Sequence, residues 1–285
     1  MKKAALLALA AALSGCTWVF FFPDARIYDR PERLGLAFDT PTFPSLDGTR
    51  ITGIFFSSHA KPAKGTVIHF HGNGANITGQ WGFSYWLAEY GYNVFVLDYR
   101  GYGASEGSPS ARGAVKDGLA ALNYVSSRPD VDPKKILVFG QSLGAAIAVA
   151  SLIQSTVAVR AMALESAFSS YRGIARDRMS LFWPTRWLKW PLSLIISDKY
   201  NPTRLVKKLP RVPLLFIHGG ADGIIPLAEG LPLYQAAFPP KELWIIPEGN
   251  HVEAFTEFGG EYRPKLAKFF AEALSPPRSP AAARP

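Results

Sequence analysis

The stretch "LVFGQSLGAA", Leu137–Ala146, begins as a buried strand and ends as a helix. Leu137, Val138 and Phe139 form an apolar run, Gly140 to Gly144 interrupts it, and Ala145 and Ala146 resume with small residues suited to a close-packed helix. A strand that turns straight into a helix brings the two backbones almost into contact, so the positions around the apex must be small. The apex residue is held in strained backbone geometry and carries its side chain clear of the sheet. Here that residue is Ser142, a hydroxyl between two glycines.

A hydroxyl displayed in this way attacks nothing near neutral pH unless a base takes its proton. Of the five histidines, His69 falls inside a predicted strand, His71 and His218 sit at strand ends beside glycines, and His59 lies in a polar loop. His251, in "PEGNHVEAF", follows the last predicted strand and is the candidate base. A base of this kind needs an acid to orient it. Asp222, in "FIHGGADGIIP", occupies a loop just beyond a strand and is the candidate, ahead of Asp177, Asp198 and Glu248. The chain order Ser, Asp, His differs from the orders of the chymotrypsin and subtilisin folds.

The surrounding pattern agrees. Short apolar or β-branched runs at 49–56, 66–70, 93–97, 136–139, 161–164, 213–217 and 243–246 alternate with helix-like stretches at 80–90, 113–127, 142–153, 227–238 and 253–274. Alternation of this kind predicts an α/β fold, a mostly parallel central sheet flanked by helices on both faces. In such sheets ligands bind beyond the carboxyl ends of the strands, where Ser142, Asp222 and His251 are all expected. Residues 167–211 separate two strands by more than a simple crossover and carry Trp183, Trp187 and Trp190, which reads as a small inserted cap. "DYRGYG", Asp98–Gly103, reads as a structural turn with Arg100 available for a buried ion pair.

With "HGNGAN", "DYRGYGASEG", "GQSLG", "HGGADGIIP" and "GNH" in this order, the chain resembles the α/β-hydrolase superfamily of serine hydrolases over residues 35–274, close to its esterase-like and peptidase-like members. The resemblance implies an α/β-hydrolase fold and a Ser142–His251–Asp222 triad. It also implies an oxyanion hole from the backbone N–H groups of Asn73 and Leu143. Ala145 stands where many members carry another glycine. The implied reaction is hydrolysis of a small-molecule ester or acyl compound through an acyl-enzyme. A carboxylic ester comes first, a thioester or peptide next, and a membrane-tethered scaffold without chemistry is the reading from another class.

The two ends of the chain are set apart. Residues 1–15 pair Lys2 and Lys3 with an apolar stretch of about ten residues, too short for the roughly 20 that span a bilayer, and read as a secretory signal. "LSGC" resembles the lipobox of bacterial lipoproteins, which implies acylation of Cys16, the only cysteine, and a membrane as partner. Thr17, where Asp would retain such a protein at the inner membrane, implies passage to the outer membrane facing the periplasm. Residues 16–34 then form a lipid-anchored segment whose "TWVFFFP" either lies in the membrane interface or packs on the domain. Residues 275–285 are Pro- and Ala-rich and read as disordered. The surplus of basic residues, 31 against 22, is scattered rather than gathered into a stripe, which argues against nucleic-acid binding. No His, Cys or Asp cluster has ligand spacing, so neither metal nor organic cofactor is expected. No feature specifies a protein partner.

Overall fold

The structure is a computed structural model, and it describes residues 20–181 and 183–275. The signal segment, Cys16, Thr17 and the tail beyond Ser275 therefore lie outside the described residues. The strands, in chain order, are β1 (Phe22–Pro23), β2 (Phe38–Asp39), β3 (Thr42–Pro44), β4 (Arg50–Phe56), β5 (Thr66–Phe70), β6 (Gly74–Ala75), β7 (Asn93–Leu97), β8 (Ile136–Gln141), β9 (Val159–Glu165), β10 (Leu214–Gly219) and β11 (Lys241–Ile246). All but β1 and β6 belong to one twisted sheet, with β11-β10-β9-β8-β5-β7-β4-β2 as neighbours and β3 joined to β4.

From β7 to β11 the pairings are parallel, while β4 runs antiparallel to β7 and pairs antiparallel with β2 and β3. The central strands are buried on both faces, which is why they read as almost continuous apolar runs. One face packs α2 (Ala111–Ser127) and α3 (Leu143–Leu152) through Ala114, Leu122, Ile147 and Val149. The other receives Trp81, Trp86 and α9 (Gly259–Leu274) through Leu266 and Phe270. The chain passes from β5 outward to β7 and returns to place β8 on the opposite side of β5. This reversal opens a crevice at the carboxyl ends of β5 and β8, the usual location of a binding site in such a sheet.

Two predicted helices are corrected. Residues 80–90 do not form one helix. A four-residue α1 (Ile77–Gln80) is followed by single 3-10 turns at Trp81–Phe83 and Tyr85–Ala88. Gly79 and Gly82 weaken a continuous helix, and the break at Ser84 buries that hydroxyl against His69. The last helix starts at Gly259, not at 253: the preceding residues form turns, with the Thr256 and Phe258 N–H groups both donating to the Glu253 carbonyl, while the N–H groups of Val252 and Ala254 bond the Ser166 and Glu165 side chains.

Between β9 and β10, the expected cap segment runs through α4 (Tyr171–Leu181), α5 (Trp183–Arg186), α6 (Lys189–Leu194) and α7 (Pro202–Leu205). After β10 comes α8 (Leu227–Ala236). Arg100 makes the expected ion pair: its guanidinium bonds the fully buried Asp117 at 2.8 and 3.0 Å and Asp47 at 3.0 Å. No described helix is long and apolar enough to cross a membrane.

Candidate active site

Ser142 caps the N-terminus of α3 with φ 52° and ψ −119°. This left-handed region is costly for a residue with a side chain, and the neighbouring glycines make it accessible. A Cβ on Gly144 would stand 2.0 Å from the Phe70 carbonyl oxygen, and one on Gly140 would stand 2.8 Å from the Ala145 Cα. The Ser142 N–H is satisfied by the Glu165 carbonyl at 2.9 Å.

His251 sits in the loop after β11, with its Nδ1 at 2.9 and 3.1 Å from the two Asp222 carboxylate oxygens. The buried Asp222 also accepts the backbone N–H groups of Ile224 and Ile225 at 2.9 and 2.8 Å. Burial raises the Asp222 pKa, but the hydrogen bond and charge of His251, helped by those two N–H groups, outweigh it and hold the carboxyl below its ordinary value. An ionised Asp222 accepts a hydrogen bond from the Nδ1–H of His251, so in the neutral imidazole the lone pair lies on Nε2.

Ser142 and His251 line the same two cavities. Among the described residues no hydrogen bond joins Ser142 Oγ to His251.

Asn73 and Leu143, whose N–H groups are the expected oxyanion donors, line the larger cavity with Ser142. Neither donates to an acceptor among the described residues. The peptide after Asn73 is fixed, because its carbonyl accepts the Tyr102 hydroxyl at 2.7 Å and the Phe22 N–H at 3.1 Å. The second donor comes from the N-terminal arm, where β1 pairs with β6.

The remaining histidines and acids have other partners. His218 donates to the Ile225 carbonyl at 2.7 Å, and His71 Nδ1 to the Gly72 carbonyl at 2.7 Å. His59 is exposed and Glu248 points to solvent. Asp177 pairs with Arg178 at 3.6 Å, and Asp198 accepts the Asn201 amide at 2.8 Å. No group of three His, Cys, Asp or Glu side chains among the described residues is arranged to hold a metal ion.

Several residues that hold the site together were not among the candidates. Asn250 Oδ1 accepts the N–H groups of Gly223 at 3.0 Å and His251 at 2.9 Å, clamping the acid loop to the histidine loop. Beneath Ser142 a buried chain runs from Ser84 to His69 Nδ1 at 2.9 Å and from His69 Nε2 to Gln141 Oε1 at 2.9 Å. It continues from Gln141 Nε2 to Glu165 Oε2 at 2.7 Å, while Glu165 Oε1 accepts the Ala254 N–H at 3.0 Å. Glu165 thus grips the serine turn through its backbone and the histidine loop through its side chain. The signal in the sequence was an acid ending the apolar strand "RAMALE", a place where burial demands partners. Burial, with the neighbouring His71 adding to it against the Gln141 hydrogen bond, pushes His69 down to about 3, so it stays neutral in this chain.

Residues 61–207 match the family described as serine aminopeptidase, S33. The chain is 36% identical over 262 residues to the uncharacterized protein YfhR of Escherichia coli strain K12, covering 90% of this chain and 88% of that one. It is 32% identical over 260 residues to the alpha/beta hydrolase domain-containing protein WAV2 of Arabidopsis thaliana, covering 86% and 82%. Among solved structures, the Pyrococcus furiosus esterase Pf2001 superposes with a TM-score of 0.73 at 21% identity, covering 90% of this chain and 99% of that one. At that identity the likeness speaks for the fold.

Burial raises Glu165 to about 7 from an ordinary value near 4.5, with Asp222 adding to it and the Gln141 and Ala254 donors opposing. The folded chain therefore keeps a proton that the unfolded chain loses as pH climbs from about 4.5 to 7, and stability from this group falls over that window. The advantage of wild type over Glu165→Gln in urea unfolding should shrink by up to ~3 kcal/mol between pH 5 and pH 8. A difference that does not change with pH would contradict this account of Glu165.

Proposed function

The chain belongs to the serine aminopeptidase S33 family of α/β-hydrolases, and from that premise we propose that it is a serine hydrolase acting on carboxylic esters. The observation that carries this reading is the strained Ser142 turn, bordering one cavity with a His251 already hydrogen-bonded to Asp222.

In the proposed reaction the Ser142 Oγ–H gives its proton to His251 Nε2 as Oγ bonds to the carbonyl carbon. The carbonyl π electrons move onto oxygen, where the Asn73 and Leu143 N–H groups receive the charge. Asp222 stabilises the imidazolium without taking its proton. Collapse of the intermediate expels the alcohol, which accepts the proton from His251, and leaves an acyl-Ser142. Water then repeats the sequence from the same side and releases the acid.

The choice of ester over peptide rests on the lining of the larger cavity. An aminopeptidase must hold a free ammonium group, which calls for an anionic partner. No carboxylate is among the described residues lining this cavity, and Arg178 gives it a cationic one.

Anchoring to a membrane through an acylated Cys16, behind a signal at 1–15 and facing the periplasm from the outer membrane, is part of the same proposal. It is supported by the sequence pattern and by an exposed aromatic face on the cap segment. Trp183 and Trp187 are each 77% exposed and Trp190 62%, and the guanidinium groups of Arg186 and Arg176 lie over the Trp187 and Trp190 rings. Aromatic rings beside basic groups suit an anionic lipid interface. Phe20 and Phe22, a few residues after Cys16 in the sequence, line the larger cavity.

A fluorophosphonate probe should label the protein, and Ser142→Ala should abolish labelling. Asp222→Asn should lower ester turnover by about 10³- to 10⁴-fold, and p-nitrophenyl butyrate should be cleaved faster than leucine p-nitroanilide. An unlabelled wild type would favour a scaffold, and faster amide cleavage a peptidase. For the anchor, Cys16→Ser should shift the protein from the membrane to the soluble fraction of the producing cells. Undiminished membrane retention would count against acylation.

A further inference from the structure

The two cavities that meet at Ser142 differ in size and character. The larger, about 740 Å³, is bounded at the serine by Leu143 and Asn73 and walled by Phe168, Ile174, Met179, Leu192, Ile195 and Ile225. Its volume lies within the roughly 300–1,000 Å³ of sites that enclose most of a small ligand. Among the described residues on its wall, Arg178 is the one side chain with a fixed charge, and its Nη2 donates to the carbonyls of Gly223 and Ile224. The smaller, about 90 Å³, is bounded by Gly72, Gly74, Gln80, Phe83, Gln141 and Val252. Peptide groups and amides line much of it, and Gln80 is fixed there by a 2.8 Å bond to the Gly74 carbonyl. His251 borders both.

Resting on the reading of Ser142 as nucleophile, we propose that the larger cavity holds the acyl chain and the smaller one the departing alcohol. The substrates are then esters of medium-length aliphatic acids with short, polar alcohols. The argument turns on where water must stand. Expulsion of the alcohol and attack by water are the same step run in opposite directions, so leaving group and water occupy one position beside His251. A water molecule settles where it finds two to four polar partners and leaves an apolar cavity dry. The small polar cavity meets that condition, and it has room for a few water molecules or a short alcohol. The acyl chain, which stays attached to Ser142 between the two half-reactions, is left with the apolar cavity. Leu143, whose N–H is a proposed holder of the carbonyl oxygen, borders only that cavity of the two.

Ethyl octanoate and octyl acetate test the assignment, because they are isomers with the long chain on opposite sides of the ester. The full-length protein should show a kcat/KM for ethyl octanoate at least about tenfold above that for octyl acetate. Within an ethyl ester series from butanoate to octanoate, kcat/KM should rise about fourfold per methylene, the equivalent of ~0.8 kcal/mol per buried CH₂. Ile174→Trp, which fills the cavity, should collapse the ratio of octanoate to butanoate ester turnover. Equal turnover of the isomers, preference for octyl acetate, or a flat series in a protein that a fluorophosphonate labels would overturn the acyl-site assignment alone. If neither ester is cleaved and no label is taken, the nucleophile reading fails. Calorimetric titration of Ser142→Ala then decides the cavity by itself: octanoate should bind at least about tenfold more tightly than butanoate, and equal binding would overturn the proposal.

Discussion

The backbone of Ser142 is the constraint on which the site depends. Its left-handed conformation costs on the order of 1–3 kcal/mol, and the surrounding fold maintains it. The ten residues of α3 are all buried, so the helix cannot shift to relieve the turn. Gly140 and Gly144 allow the helix to pass against the ends of β5 and β8 at separations that any side chain would forbid. The Glu165 carbonyl receives the serine N–H. The outcome is a hydroxyl at the point where the strand order reverses, with the first N–H of a helix beside it and the loop after β5 facing it.

Around that turn, three loops from separate strand ends are tied to one another by hydrogen bonds rather than by packing alone. Asn250 joins the loops after β10 and β11. Gly219 lets them approach, since a Cβ there would lie 2.2 Å from the Gly249 carbonyl oxygen. Glu165, at the end of β9, links the serine turn to the histidine loop, and Gln141 and His69 extend the link under β8 and β5. Each buried polar group in that chain has its partner, which is the condition under which such a network orders a site instead of weakening it. The N-terminal arm adds a fourth tie by fixing the carbonyl of Asn73.

Much of this was legible in the sequence. Strands β5 and β7 have the expected bounds because an apolar run between polar ends leaves little choice of boundary. Ser142, Asp222 and His251 stood out because each lies just past such a run among small or turn-forming residues. What stayed hidden depends on partners distant in sequence. The burial of Glu165 makes sense only when the Ala254 N–H, 89 residues further on, returns to it. The break in residues 80–90 follows from Ser84 serving His69. The early start expected for the last helix fails because residues 253–258 close turns on the Glu253 carbonyl instead of a regular helical ladder. Strands of two or three residues, such as β1 and β2, carry no periodicity to detect.

The central claim is geometric: Ser142 Oγ, the imidazole of His251 and the N–H groups of Asn73 and Leu143 surround one reacting carbon. A crystal structure of the protein inactivated by diethyl p-nitrophenyl phosphate tests it most directly. The account predicts phosphorus bonded to Ser142 Oγ, with the phosphoryl oxygen about 2.7–3.1 Å from both N–H groups and His251 Nε2 facing the ester oxygens. Phosphorus on another side chain, or a phosphoryl oxygen turned away from both donors, would contradict it.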